Sequence, residues 1–218
     1  VTNPPIDSLR ERHVMSLKTR FSNLANILED DAQNSDVLVL ESPVLLCEDW
    51  SRLKKYFGKV VAEIDCTFPA DGPPDALRAA INRIRDEAEI AVRAGQTELF
   101  LSDETIGPDR VGIAMVLAAA AVHTHLVRKG LRSYSSINVR TAECLDPHYF
   151  AVLIGVGATT VNAYLSEACI ADRHARGLFG QRDLQTCLQN YRTAVNEGLL
   201  KIMSKMGIAV ISSYRGGY

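Results

Sequence analysis

Four times along the chain an apolar-periodic segment runs into a glycine, and a short β-branched or apolar segment follows within a few residues. The glycines are Gly95, Gly130, Gly157 and Gly207. Glycine just past a helix supplies the left-handed backbone conformation that ends it, so each sign reads as a helix followed by a strand. Before Gly95, residues Leu77, Ile81, Ile84, Ala88 and Ala91 alternate steps of four and three, with Asp75 placed as an N-cap and charges on the other face. The same spacing through Leu188, Tyr191, Val195, Leu199 and Ile202 predicts a longer helix over 184–206, with Lys201 and Lys205 favourably near its C-terminal end. Residues 112–129 are apolar nearly all round, which predicts a helix covered on more than one side.

Short strands are expected at 98–102, 134–141, 160–165 and 208–212, and upstream at 37–40 and 60–65. Strands separated by helices of this length are joined by right-handed crossovers into a parallel sheet buried on both faces. The expected fold is therefore α/β: a parallel sheet of βα repeats, built as an incomplete (β/α) barrel or a doubly wound sheet. Pro4-Pro5 forces an extended entry, and Ser8-Leu9-Arg10-Glu11 has the form of a capping box for a helix through about Leu17. Residues 69–74, Pro-Ala-Asp-Gly-Pro-Pro, form a loop. Neither a long polar linker nor a low-complexity tract divides the chain, so residues 1–218 are read as one domain. The chain lacks a starting Met and stops straight after its last expected strand, at Tyr214-Arg215-Gly216-Gly217-Tyr218, so we expect a piece of a longer protein truncated at both ends.

Composition narrows the partners. With 24 Lys+Arg against 26 Asp+Glu the chain has no excess of positive charge for phosphate backbones or acidic membranes, and no apolar run reaches the roughly 20 residues that span a bilayer. Small molecules and protein surfaces remain. The five cysteines, Cys47, Cys66, Cys144, Cys169 and Cys187, are widely and unequally spaced, which argues against a disulfide framework and for a reducing, cytosol-like compartment.

In parallel α/β folds ligands gather at the carboxyl ends of the strands. The residues leaving those ends here are polar: Asp65 and Thr67, Ser102 and Asp103, Thr141 and Glu143, Ser166 and Glu167, and Ser212, Ser213 and Arg215. Of these, Ser102, Asp103, Glu143, Ser212, Ser213 and Arg215 are the rim candidates; helix capping explains many such residues equally well. His123 and His125 are two apart on a helix and face different ways, so they do not make the paired metal site of an i, i+4 spacing. His148, after Asp146-Pro147 at a helix start, has no partner fixed by spacing. Gly155-Val156-Gly157 follows a helix rather than a strand, which is the wrong way round for a dinucleotide fingerprint. No nucleophile elbow or phosphate loop is present. No catalytic or metal site is assigned.

Longer blocks carry a resemblance. These are Val1-Thr2-Asn3-Pro4-Pro5-Ile6-Asp7, Leu9-Arg10-Glu11, Val14-Met15-Ser16-Leu17, Glu41-Ser42-Pro43-Val44-Leu45, Leu101-Ser102-Asp103, Ala121-Val122-His123-Thr124-His125-Leu126-Val127, Gly130-Leu131-Arg132, the run from Gly198-Leu199-Leu200 to Met206-Gly207-Ile208, and Ser213-Tyr214-Arg215-Gly216. In order along the chain, they resemble the central domain of glutamate synthase large subunits. The match departs at 142–150, which keeps only Glu143, His148 and Phe150 of the usual block, and at Ala163, where a proline is common. The resemblance implies an enzyme making L-glutamate from L-glutamine and 2-oxoglutarate. In it, an amidotransferase domain releases ammonia to an FMN-bearing barrel, and electrons arrive from NADPH, NADH or ferredoxin through a 3Fe-4S cluster. This chain would be the connecting domain, with FMN and the cluster held elsewhere. Its partners would be the amidotransferase and FMN domains of the same chain, with a small electron-donating subunit or ferredoxin. The compartment would be the bacterial cytoplasm, or the plastid in a plant or alga.

An ammonia passage needs rigid, largely apolar walls. Prolines fix the backbone and leave carbonyls free, so Thr2, Asn3, Pro4, Pro5 and Ile6 are the expected passage and interdomain residues. The alternatives are a stand-alone (β/α) module that takes a phosphate or carboxylate at the rim through Arg215, Ser212 and Ser213, or a scaffold that binds no ligand.

Overall fold

The helix-ending glycines behave as read: Gly95, Gly130, Gly157 and Gly207 take φ values of 86°, 69°, 121° and 70°. In the computed structural model, which describes residues 4–7, 9–21 and 37–217, the first half contains α1 (Glu11–Val14), β1 (Thr19–Arg20), β2 (Val39–Leu40), β3 (Val44–Leu45), α2 (Cys47–Phe57), β4 (Val61–Asp65), β5 (Thr67–Pro69) and α3 (Ala76–Arg93). The second half contains β6 (Glu98–Ser102), β7 (Arg110–Gly112), α4 (Met115–Arg128), β8 (Ser136–Arg140), α5 (Pro147–Gly155), β9 (Thr160–Asn162), α6 (Tyr164–Ala175), α7 (Leu184–Lys205) and α8 (Ile211–Tyr214).

Five strands form one parallel sheet in the order β3-β9-β8-β6-β4. From β4 onward each new strand joins beside the last, so the sheet advances in one direction, as in a (β/α) barrel, but stays open. Alternation along β6 decides what lies on each face. Leu99 and Leu101 enter the larger core with Ile84 of α3, Val122 of α4 and Phe150 of α5. Phe100 between them points the other way, into a smaller core with Phe21, Leu45, Trp50 and Leu53. Its ring meets that of Trp50 edge-on, with centroids 4.6 Å apart. Phe100 is 1% exposed, and a side chain buried so fully contributes about 2–3 kcal/mol. Thus α3, α4 and α5 cover one face and α2 the other. Outside them α7 closes on α5 so tightly that a Cβ at Gly198 would fall 2.5 Å from the Pro147 ring.

The structure corrects several expectations. Segment 37–40 does not join the parallel sheet: β2 pairs antiparallel with β1, and the edge position goes to the two residues of β3, released by Ser42-Pro43 and paired with β9. Segment 208–212 is not a strand either. Its backbone pairs instead with the extended stretch after α1, through a bridge from Ser16 to Val210. The chain then turns, and Ile211 is fully buried at the start of α8. The strand predicted over 160–165 ends at Asn162, because Tyr164 and Leu165 already belong to α6. The first helix is one turn, Glu11–Val14, with Leu9 and Val14 exposed; Ser8, its expected cap, lies outside the described residues. Asp75 does occupy the N-cap position of α3, but its side chain makes no capping bond. As expected, α4 is covered on more than one side, by α3, by α5 and by the sheet at β8, and only a strip that includes Leu117 and Val127 is exposed.

Candidate functional site

Because the five strands are parallel, Leu45, Asp65, Ser102, Arg140 and Asn162 end along one rim. The side chains there bind one another. Arg140 sends Nε and one terminal nitrogen to the two oxygens of Glu104, both at 2.8 Å, and the other nitrogen to Asn162 Oδ1 at 2.9 Å. Its guanidinium lies 5.1 Å from the Tyr164 ring and 5.9 Å from the Trp50 ring. Asn162 in turn donates to Leu45 C=O at 2.9 Å and to Glu167 Oε1 at 2.8 Å. Glu167 accepts the Cys47 N–H at 2.9 Å, acting from a distance as a cap on the first turn of α2. Burial raises the pKa of Glu167 against the pull of these hydrogen bonds.

Asp103 is the second node. It is 1% exposed and accepts the Thr141 hydroxyl at 2.6 Å and the Ala142 N–H at 3.1 Å. Burial pushes its carboxyl above the ordinary carboxylate value, partly offset by those bonds and one from Tyr164. Ser102, beside it, accepts the Glu104 N–H at 3.2 Å and lines a cleft with Trp50, Asp65 and Thr105. Glu143 caps α4, accepting the Met115 N–H at 3.0 Å together with the Tyr149 hydroxyl. Asp65 accepts from Thr105 at 2.7 Å, Thr67 at 2.8 Å and Arg110 at 2.7 Å, which ties the β5–β7 ribbon to the rim.

The rim candidates therefore separate into two groups. Ser102, Asp103 and Glu143 stand together at the carboxyl ends. Ser212 and Ser213 are exposed on α8, and Arg215 lies at the opposite, amino-terminal edge of the sheet, because the segment expected to be a strand is not one. There the Gly216 N–H donates to the C=O of Gly155, the last residue of α5, at 2.8 Å. Arg132 donates to His123 Nδ1 at 3.1 Å and to Gly157 C=O at 2.8 Å, and also bonds Ser135 C=O. Gly157 is obligatory at this point: its φ is +121°, and a Cβ would lie 2.3 Å from the His123 ring. Burial, then the charges of Arg132 and Arg215, push His123 down to about 4. His125 faces elsewhere, 2.7 Å from Glu89, and His148 lines a shallow groove with Ile202 and Met206.

Of the passage candidates, Pro4 and Pro5 are exposed and Ile6 is half-buried, its N–H donating to Ser204 C=O at 2.8 Å; Thr2 and Asn3 lie outside the described residues. Sequence reasoning missed Arg140, Asn162, Trp50 and Tyr164. A cation closing the strand Ser136–Arg140 was the available sign for Arg140. The other three are gathered by chain crossings that spacing does not encode. Among the described residues no three His, Cys, Asp or Glu side chains are grouped as ligands of a metal ion, and no helix is long and apolar enough to cross a membrane.

An open, one-directional βα sheet whose rim is tied by its own side chains is an α/β domain organised to hold loops in place. The chain belongs to the glutamate synthase central domain family, whose model matches residues 1–218. It is 62% identical over 217 residues to the large chain of the NADPH glutamate synthase of Azospirillum brasilense, a match covering 100% of this chain and 14% of that one. The chloroplastic ferredoxin-dependent glutamate synthase of Spinacia oleracea is 40% identical over 234 residues, covering 99% of this chain and 14% of the relative. The NADH glutamate synthase of Saccharomyces cerevisiae is 36% identical over 227 residues, covering 99% and 11%. This chain thus spans a small fraction of the length of its relatives.

Proposed function

We propose that this chain is the connecting domain of a glutamate synthase that makes L-glutamate from L-glutamine and 2-oxoglutarate, joins its amidotransferase and FMN domains, and walls part of the ammonia passage. The observation that carries the reading is the match to the central domain model over residues 1–218. The rim supports it: side chains that saturate one another hold the loops between strands rigid, as a wall between two active sites requires. FMN and the 3Fe-4S cluster are assigned to other domains. Burial pushes the thiols of Cys66 and Cys144 up, which disfavours the thiolates that iron ligation uses. The 62% identity to an NADPH-named bacterial chain favours a pyridine-nucleotide electron source delivered by a small partner subunit, in a bacterial cytoplasm, over ferredoxin and a plastid.

Within this reading Thr2, Asn3, Pro4, Pro5 and Ile6 form the junction with the amidotransferase. The hydrogen bond from Ile6 to Ser204 at the end of α7 anchors that segment and leaves the two prolines facing outward. Replacing Ile6 with Asp in the full-length enzyme puts a charge on the passage wall. We expect glutamine-dependent glutamate formation to fall by about 10-fold or more, the scale of a poorly compensated charge, while glutamine hydrolysis persists. Unchanged coupling between the two would remove the segment from the passage.

A further inference from the structure

The amino-terminal edge of the sheet holds an unbalanced charge. Arg132 directs its hydrogen bonds to neutral acceptors: His123 Nδ1 and the carbonyls of Ser135 and Gly157. Arg215 occupies the same recess. The backbone of the next residue is bonded to Gly155, and a Cβ at Gly216 would lie 3.5 Å from His123 Nε2. Its charge bears on both His123 and Arg132. Arg215 Nε is buried with no hydrogen-bond partner. Among the described residues no carboxylate is paired with Arg215, and burial lowers its pKa to about 10, so it stays charged at neutral pH. Glu98, fully buried at the start of β6, bears on Arg132 and balances one of the two cations. His123 is neutral, so the recess retains the charge of one guanidinium.

A half-buried cation without a counter-ion is unfavourable, and two sharing one recess are more so. The donors that remain, on a planar fork, match the two oxygens of a carboxylate. We propose that the recess between Arg132 and Arg215 binds a carboxylate, with Arg215 as its principal contact and Arg132 fixing the position of His123 and the Gly157 turn behind it. The carboxylate comes either from an acidic side chain of an adjoining domain or from a free dicarboxylate, and the recess recognises the same chemistry in both.

The sign of a substitution tests this. If Arg215 has no partner, Arg215→Met removes an unpaired, half-buried charge and leaves the protein as stable or more stable; if a carboxylate sits there, the same change strands it and destabilises. In the full-length enzyme carrying this chain we expect Arg215→Met to lower the thermal unfolding midpoint by about 3 °C or more, and Arg215→Lys, which keeps the charge, to recover at least half of that. Malonate added at constant ionic strength separates the sources. A free-carboxylate site raises the wild-type midpoint and leaves that of Arg215→Met unmoved; a side-chain carboxylate makes malonate inert in both while Arg215→Met remains destabilised. An Arg215→Met protein at least as stable as wild type, together with a wild-type midpoint that malonate does not raise, overturns the proposal. So does one equally destabilised by Lys and indifferent to malonate, since shape rather than charge would then be what Arg215 supplies. Glutamine hydrolysis and glutamate formation are measured on the same samples, so a failure here is distinguishable from a failure of the passage assignment.

Discussion

The two edges of the sheet handle charge in opposite ways. At the carboxyl ends Arg140 meets Glu104 and Asn162, Asp103 meets Thr141 and Ala142, and Glu167 and Glu143 cap the helices that begin beside them. Each of these groups has hydrogen-bond partners within the same domain. At the amino-terminal edge the Arg132 and Arg215 guanidiniums are packed against a neutral histidine, and Glu98 balances only the first. The strand-rim rule for parallel sheets draws attention to the first edge. Here that edge is tied largely to itself, while Arg215 Nε, at the other, has no hydrogen-bond partner.

Three substitutions press on this contrast. The largest effect is expected from Gly157→Ala. It forces a side chain into a left-handed backbone position and into the His123 ring, which together should cost about 3 kcal/mol or more in chemical denaturation. A loss below about 1 kcal/mol would mean that the amino-terminal edge is soft and that Arg132 is not held as described. Next comes Asp103→Leu, which strands the Thr141 hydroxyl and the Ala142 N–H in the interior. We expect a loss of about 2–4 kcal/mol, and a neutral outcome would show that the rim network is dispensable.

The smallest effect concerns Asp65. Burial alone would raise its pKa, but hydrogen bonds from Thr105 and Thr67 and the charge of Arg110 outweigh it and leave the carboxyl below its ordinary value. A depressed carboxylate contributes stability that is present above the unfolded pKa near 4 and is lost as pH falls through the folded value. Since the Asp65 side chain is 37% exposed, the contribution is well under about 1 kcal/mol after screening. Acid titration of unfolding should therefore show a small loss, setting in below about pH 4, that Asp65→Asn lacks. Asp103, whose carboxyl is raised, works in the reverse direction, its ionisation cost being relieved on acidification. Identical acid profiles for wild type and Asp65→Asn would dismiss the ribbon anchor.

Much of this was legible from residue order. The steps of four and three through Ile84, Ala88 and Ala91 marked a helix whose buried face is the one the structure buries, and Glu98–Ser102 is a strand as expected. Those features are local: helix periodicity, a glycine stop and a β-branched run are set by backbone sterics and by which side chains avoid water. The misreadings share a cause. Ile208 to Ile211 has strand composition, yet a strand needs an edge to pair with, and the nearest free backbone belonged to residues after α1 rather than to the sheet. Val39 and Leu40 likewise found β1 first.

What the chain's own order determined is the alternation of helix and strand, the parallel layering that follows from it, and the blocks that mark its family. Only the tertiary structure decided which polar residues share an edge. Arg140, Trp50 and Tyr164 meet because separate βα units bring them together, and Arg215 lies among the amino ends because the segment before it failed to become a strand. Partnership between charges distant in sequence depends on where the backbone crosses itself, and short-range pattern carries no record of that crossing.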